Sequence, residues 1–288
     1  MKRILRKAAF FAIVVFIAFT LVASNGITQR KLATIAQTPN GCLMLSSSRV
    51  PTTCTNNSNP LSSPSSVSPL LPDLKLPEDK RFLAIVASKL PTIPQPGSLE
   101  YILLNAYGAV FANQQPEIKL PQKVILASSQ ETSSFQATLT MGKVDGTSNC
   151  LLQKAAAEGL NQAKALTGIS LRSGYGASDC TRSFETNLRF WRKYANNQTL
   201  DQVRQGKETK ILGIVAPPGA SQHLWGLAVD LSLSSQSQRQ ALNRNGWFQT
   251  VENDVPHWTY VGLTEDKLPL FGFKNKVVRG ITYWLTPL

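Results

Sequence analysis

The sequence predicts an α+β fold, a small mixed sheet with flanking helices, and three observations carry that reading. Helix-like apolar spacing recurs after residue 77, short β-rich runs follow, and the two kinds of segment do not alternate regularly. EDKRFLAIVASKL and SLEYILLNAYGAVF have helical spacing, each closed by proline or a polar break. KVILASSQ and SFQATLTMGKV read as two strands, with the polar SQETSS between them as a hairpin loop. CLLQKAAAEGLNQAKALTG reads as an Ala- and Leu-rich helix ending near Gly168. ISLRSGYG follows as a strand entering a glycine turn, then TRSFETNLRFWRKYA as a helix with Phe and Trp facing the core. LWGLAVDLSL and HWTYVGL are the last two clear strands.

The N-terminus has a different character. Lys2, Arg3, Arg6 and Lys7 precede an apolar run from Ala8 to Ala23, the pattern of an export signal. That run falls short of the ~20 apolar residues of a spanning helix, and Ala23, Ser24 and Gly26 form no clean cleavage site. Residues 1–26 are therefore either a cleaved signal peptide or a retained N-terminal membrane anchor. In both cases the rest of the chain is expected to be exported, to the periplasm or cell envelope, and held at the inner membrane if the anchor is retained.

Residues 27–77 are rich in Ser, Thr, Asn and Pro, too polar to offset the entropy of ordering, and read as a disordered linker. As a flexible coil, about 50 residues span on the order of 40 Å, a useful reach for a tethered domain. The remaining chain divides into 78–149, the N-terminal part of the globular region, and 150–288, which holds the candidate chemistry.

Of the formal charge of +13, about +9 stays with the exported part. A basic exported surface suits anionic lipid or wall polymer. No run of Lys and Arg interleaved with aromatics supports nucleic-acid binding, and none is expected. The protein is expected to be a monomer. Four cysteines in an oxidising compartment favour disulfides, and the preferred pairing is Cys42 with Cys54 and Cys150 with Cys180.

Only two histidines occur, in SQHLWGLAVDLS and in NDVPHWTYVG. On a strand alternate side chains share a face, so Asp230 lies on the face opposite Leu227, Val229 and Leu231. A carboxylate in such a setting needs a cation or several donors. If the two strands pair, His257 and Asp230 converge and His223 enters from the preceding turn. Two imidazoles and one carboxylate leave one tetrahedral position open, the donor set of a catalytic zinc.

SQHLWGLAVDLS resembles the S-x-H-x-x-G-x-A-x-D signature of the zinc D-alanyl-D-alanine carboxypeptidases, filled by Ser221, His223, Gly226, Ala228 and Asp230. APPGA, DVPHWTYVG and ISLRSGYG resemble further blocks of that family, in the right order. The resemblance implies the hedgehog/DD-peptidase-like fold, Zn2+ as cofactor and peptidoglycan stem peptides as partners. It implies His223, Asp230 and His257 as metal ligands, Asp254 as catalytic base, and Ser221, Tyr175 and Arg182 as substrate-binding groups. Two positions depart from the family. Asp254 stands where the family has Glu, with Glu252 as a nearby rival, and Gly176 stands where it usually has an Arg, a role for which Arg172 and Arg182 lie close in sequence.

The activity so implied is removal of terminal D-alanine from stem peptides. Competing expectations are a peptidoglycan endopeptidase of the same fold and a non-catalytic wall- or zinc-binding domain. A serine peptidase is disfavoured, because no Ser has Lys three residues later and G-x-S-x-G is absent; H-E-x-x-H is absent as well.

Overall fold

The computed structural model describes residues 71–233 and 235–288. The expected signal or anchor, most of the expected linker and the proposed Cys42–Cys54 pair lie outside them. No helix among the described residues is long and apolar enough to cross a membrane.

Helices α1 (Glu78–Ala87) and α2 (Leu99–Tyr107) form where the apolar spacing predicts them. The first buries Phe82, Ile85 and Val86; the second buries Leu103, Leu104 and Tyr107 and continues into a 3-10 turn, Gly108–Ala112. Ser98 caps α2 by accepting a hydrogen bond from the Tyr101 N–H at 3.1 Å.

The expected KVILASSQ–SFQATLTMGKV hairpin is not there. Its supposed loop is helix α3 (Ser129–Gln136), and only β1 (Met141–Lys143) is a strand. The physical reason is a cap. Ser128 accepts from the Glu131 N–H at 3.1 Å, and the Glu131 carboxylate reaches back to the Ala127 N–H at 2.8 Å, so S-x-x-E starts a helix in a polar stretch.

Strand β2 (Leu151–Gln153) pairs antiparallel with β1, so the first residues expected in the Ala-rich helix are strand instead. That helix, α4, runs from Lys154 to Leu166. Then come β3 (Ser170–Leu171), the short α5 (Gly176–Asp179), α6 (Phe184–Tyr194) and α7 (Asn197–Arg204).

Strand β4 (Ala228–Ser232), helix α8 (Gln236–Arg244), β5 (Trp247–Phe248) and β6 (His257–Tyr260) complete a four-stranded antiparallel sheet of order β3-β4-β6-β5. A final hairpin, β7 (Lys274–Val278) and β8 (Ile281–Leu285), turns on Arg279 and Gly280, both with positive φ, the geometry that tight hairpins favour. Helices with small antiparallel sheets make this an α+β fold, as predicted. One cluster of buried apolar side chains runs from Phe82 to Trp284, drawing on both the 78–149 and 150–288 segments.

Candidate metal centre

The sheet register sets the first two site residues. Asp230 on β4 is paired directly with His257 on β6, flanked by Val229 with Trp258 and Ala228 with Thr259. Directly opposed residues of an antiparallel pair project to the same face, so these side chains meet. His223 arrives from a 3-10 turn, Gln222–Trp225, capped by the Ser221 hydroxyl and closed by Gly226 at φ 68°. That left-handed conformation, with Gln153 and Thr181 close by, accounts for glycine at 226.

His223 Nε2 lies 3.2 Å from Asp230 Oδ1, His257 Nδ1 lies 3.6 Å from the same oxygen, and the two ring nitrogens are 3.2 Å apart. The other nitrogen of each ring faces an acceptor that has no proton to give. His223 Nδ1 is 2.8 Å from the Cys180 carbonyl, and His257 Nε2 is 2.7 Å from the Gln222 side-chain oxygen. Each of those nitrogens therefore carries the ring proton, and the remaining lone pairs point at each other and at the carboxylate. Three electron-rich atoms converging in a buried site repel unless a cation sits among them. Two imidazoles and a carboxylate are the donor set for a zinc-like ion, so the residues present fit one.

Burial strips water from His223 and lowers its pKa to about 4, with the Arg182 charge acting in the same sense. Burial alone would raise Asp230, but its surroundings, the neighbouring imidazoles and the Arg182 guanidinium paired with it, outweigh that and hold the carboxyl well below its ordinary range. Both ligands are thus in the protonation state that metal binding requires.

These groups open onto a cavity of about 330 Å³ that Arg172, Arg182, Ser221, Asp254 and Tyr194 also line. Asp254 follows Asn253, a non-glycine residue at φ 69°, and its own carbonyl accepts the His257 N–H at 3.1 Å. Burial pushes its carboxyl up to about 6, and the nearby Asp230 charge adds to the rise. Glu252 turns away, bound to Lys276 at 2.8 Å, so the structure brings Asp254 to the cavity and not its rival.

Arg182 ion-pairs with Asp230, donates to the Ser178 carbonyl and lies 4.7 Å over the Phe190 ring. Gly176 cannot hold an arginine in this backbone: a Cβ there would meet the Cys150 nitrogen at 2.3 Å. Cys150 is in turn disulfide-bonded to Cys180, as the preferred pairing expected, so the cationic side chains at the cavity come from 172 and 182. Tyr175 is not brought to the site. Its side chain is 75% exposed, beside a bend in which Asp179 ties down the Ser173 N–H and hydroxyl, each at 2.8 Å. Sequence reasoning missed Gln222, whose only sequence cue is its position between Ser221 and His223.

A family model described as VanY, D-alanyl-D-alanine carboxypeptidase, matches residues 143–261. No curated protein matches the chain. Among solved structures, the chain is similar to a mutant of the vancomycin-resistance D,D-pentapeptidase VanY from a VanB-type cassette, in complex with Zn(II). That similarity has a TM-score of 0.30 and 17% identity over 44% of this chain and 81% of the other. It is also similar to the vancomycin-resistance D,D-dipeptidase VanXYg in complex with a D-Ala-D-Ala phosphinate analogue, with a TM-score of 0.27 and 15% identity over 48% of this chain and 73% of the other. The segment 143–261, which takes in His223, Asp230, Asp254 and His257, is thus similar to the VanY family of D-alanyl-D-alanine carboxypeptidases.

Proposed function

We propose that this protein is a zinc-dependent carboxypeptidase that removes terminal D-alanine from peptidoglycan stem peptides. The observation that carries the reading is the convergence of His223, Asp230 and His257 in one cavity with Asp254, whose carboxyl is raised to about 6. The substrate class comes from the family matched over residues 143–261. The N-terminal basic and apolar residues support export, and so a place in the cell envelope beside that substrate.

His223 and His257, each fixed in one tautomer, and Asp230, which is ionised, would hold the ion. Zinc there supplies Lewis-acid activation of water and of the scissile carbonyl. Asp254 accepts the proton of the attacking water and returns it to the leaving amine. Arg182, whose guanidinium lines the same cavity, would be the preorganised donor to the negative charge that develops on the carbonyl oxygen. Ser221 lines the same cavity, and so does the exposed Arg172, which can meet the substrate's terminal carboxylate.

The test uses zinc-loaded protein and a stem pentapeptide. Release of D-alanine is expected from the wild type and not from His223→Ala. Equal D-alanine from both proteins would refute the mechanism. Fragments cut within the stem or cross-bridge instead would move the reading to an endopeptidase of the same family.

A further inference from the structure

Gln222 has no exposed surface, and its side chain is engaged at both ends. The amide oxygen lies 2.7 Å from His257 Nε2 and 2.7 Å from the Thr259 hydroxyl, which is itself 2.8 Å from the Thr250 hydroxyl. The amide nitrogen donates to the Tyr107 carbonyl at 2.6 Å. Tyr107 ends α2, outside residues 143–261, and its own hydroxyl is anchored on the Leu212 carbonyl at 2.7 Å.

The chemistry of this position is specific to an amide. The group must accept from an imidazole N–H at one end and donate to a carbonyl at the other. A carboxylate accepts at both ends and would face the Tyr107 carbonyl with like charge; an apolar side chain does neither. Leaving the buried His257 Nε2–H without its acceptor would favour moving the proton to Nδ1, the nitrogen that faces Asp230 and His223.

Resting on the metal-centre reading above, we propose that Gln222 is a positioning residue. It holds His257 as the Nε2–H tautomer with Nδ1 free for the ion, and it does so by bracing the ring against the α2 backbone at Tyr107. Part of the support of the metal centre therefore comes from the segment before residue 143. Groups that orient a metal-bound histidine from behind are commonly worth ~10- to 100-fold in metal affinity.

The experiment uses the full chain and two variants, with folding checked by thermal melting. The His257 tautomer is read in the metal-free protein by long-range 1H–15N NMR under mildly alkaline conditions. Zinc affinity is read by competition with a chromophoric chelator. Wild type is expected to show the Nε2–H tautomer. Gln222→Met is expected to show mixed tautomers and to bind zinc about 10- to 100-fold more weakly. Gln222→Glu keeps the acceptor and loses the donor to the Tyr107 carbonyl, so it is expected to keep the tautomer and to recover only part of the affinity.

A Met variant with the wild-type tautomer and wild-type affinity would overturn the proposal. So would equal loss of affinity in both variants with the tautomer unchanged, the mark of a packing role. If the Met variant does not fold, the Glu variant decides: a ring shifted to the Nδ1–H form refutes the proposal and a retained Nε2–H form upholds it. D-alanine release is scored separately. A wild type that binds zinc with the expected tautomer but releases no D-alanine refutes only the proposed activity.

Discussion

Asp254 shows how one side chain can be placed by a neighbour's backbone. The left-handed conformation of Asn253, which Asn tolerates better than most residues, turns the chain so that a carboxyl one methylene shorter than Glu lines the cavity. Its pKa of about 6 gives a prediction with a definite sign. The base must be ionised to accept a proton, so kcat/KM should fall as pH drops through that region, and the charge of a bound dication moves the limb lower. A pH-rate profile of zinc-loaded protein is expected to show an acid limb at or below pH 6. Asp254→Asn should remove the limb together with ~100- to 10,000-fold of the rate, while zinc remains bound. A variant of unchanged activity would exclude Asp254 as the base.

The convergence of His223, Asp230 and His257 was legible in the sequence because strand periodicity and a dense local signature both act over a few residues. The partners of Gln222 and the reason for Gly176 were not. The first depends on a carbonyl 115 residues away and the second on the close approach of Cys150, contacts that only the folded chain creates.

At the scale of elements, α3 is the instructive case. Its sequence is mostly polar, and a polar stretch between two apolar runs reads as a loop by pattern alone. The S-x-x-E cap decides otherwise, and the helix delivers Gln136, whose amide nitrogen donates to the carbonyls of Arg182 at 2.8 Å and Leu224 at 2.9 Å. That contact ties the segment carrying Arg182 to the turn carrying His223. Ser128→Ala is expected to cost about 1 kcal/mol of stability through the lost cap. Denaturant unfolding measures that loss, and a variant within experimental error of wild type would mean that the cap is dispensable. The β7–β8 hairpin was missed for the opposite reason. Its first strand is largely exposed, with Val277 at the surface, and Arg279 is an unusual residue for a left-handed turn position. By contrast α1, α2, α6, β4 and β6 were legible, since each carries its apolar spacing within its own length.

For the whole molecule, the site couples stability to pH through two groups that act in opposite directions. His223 has its folded pKa lowered to about 4 from 6.5, so the unfolded chain binds more protons between those values and stability rises with pH there. Asp254 has its folded pKa raised to about 6 from 3.8, so the folded chain binds more protons and stability falls as pH rises across nearly the same window. Each contribution is roughly 3 kcal/mol, and they nearly cancel. The metal-free protein is therefore expected to melt at an almost constant temperature from about pH 4 to about pH 6.5. Metal-free Asp254→Asn should instead become more stable with rising pH, because the His223 dependence is then no longer offset by Asp254. Calorimetry of both proteins checks this, and parallel pH profiles would contradict the assignment.

All five tryptophans are buried, at 191, 225, 247, 258 and 284. Two of them belong to the metal centre's own elements: Trp225 shares the 3-10 turn of His223, and Trp258 follows His257 on β6. Both rings are buried, and Arg239 lies 6.0 Å over that of Trp258. The protein therefore carries an optical gauge wired to its ligand-bearing segments. Its emission should lie to the blue when native, and a paramagnetic substitute such as Co2+ should dim it. Occupancy of the centre can then be followed in the unmodified chain, without labels and without turnover.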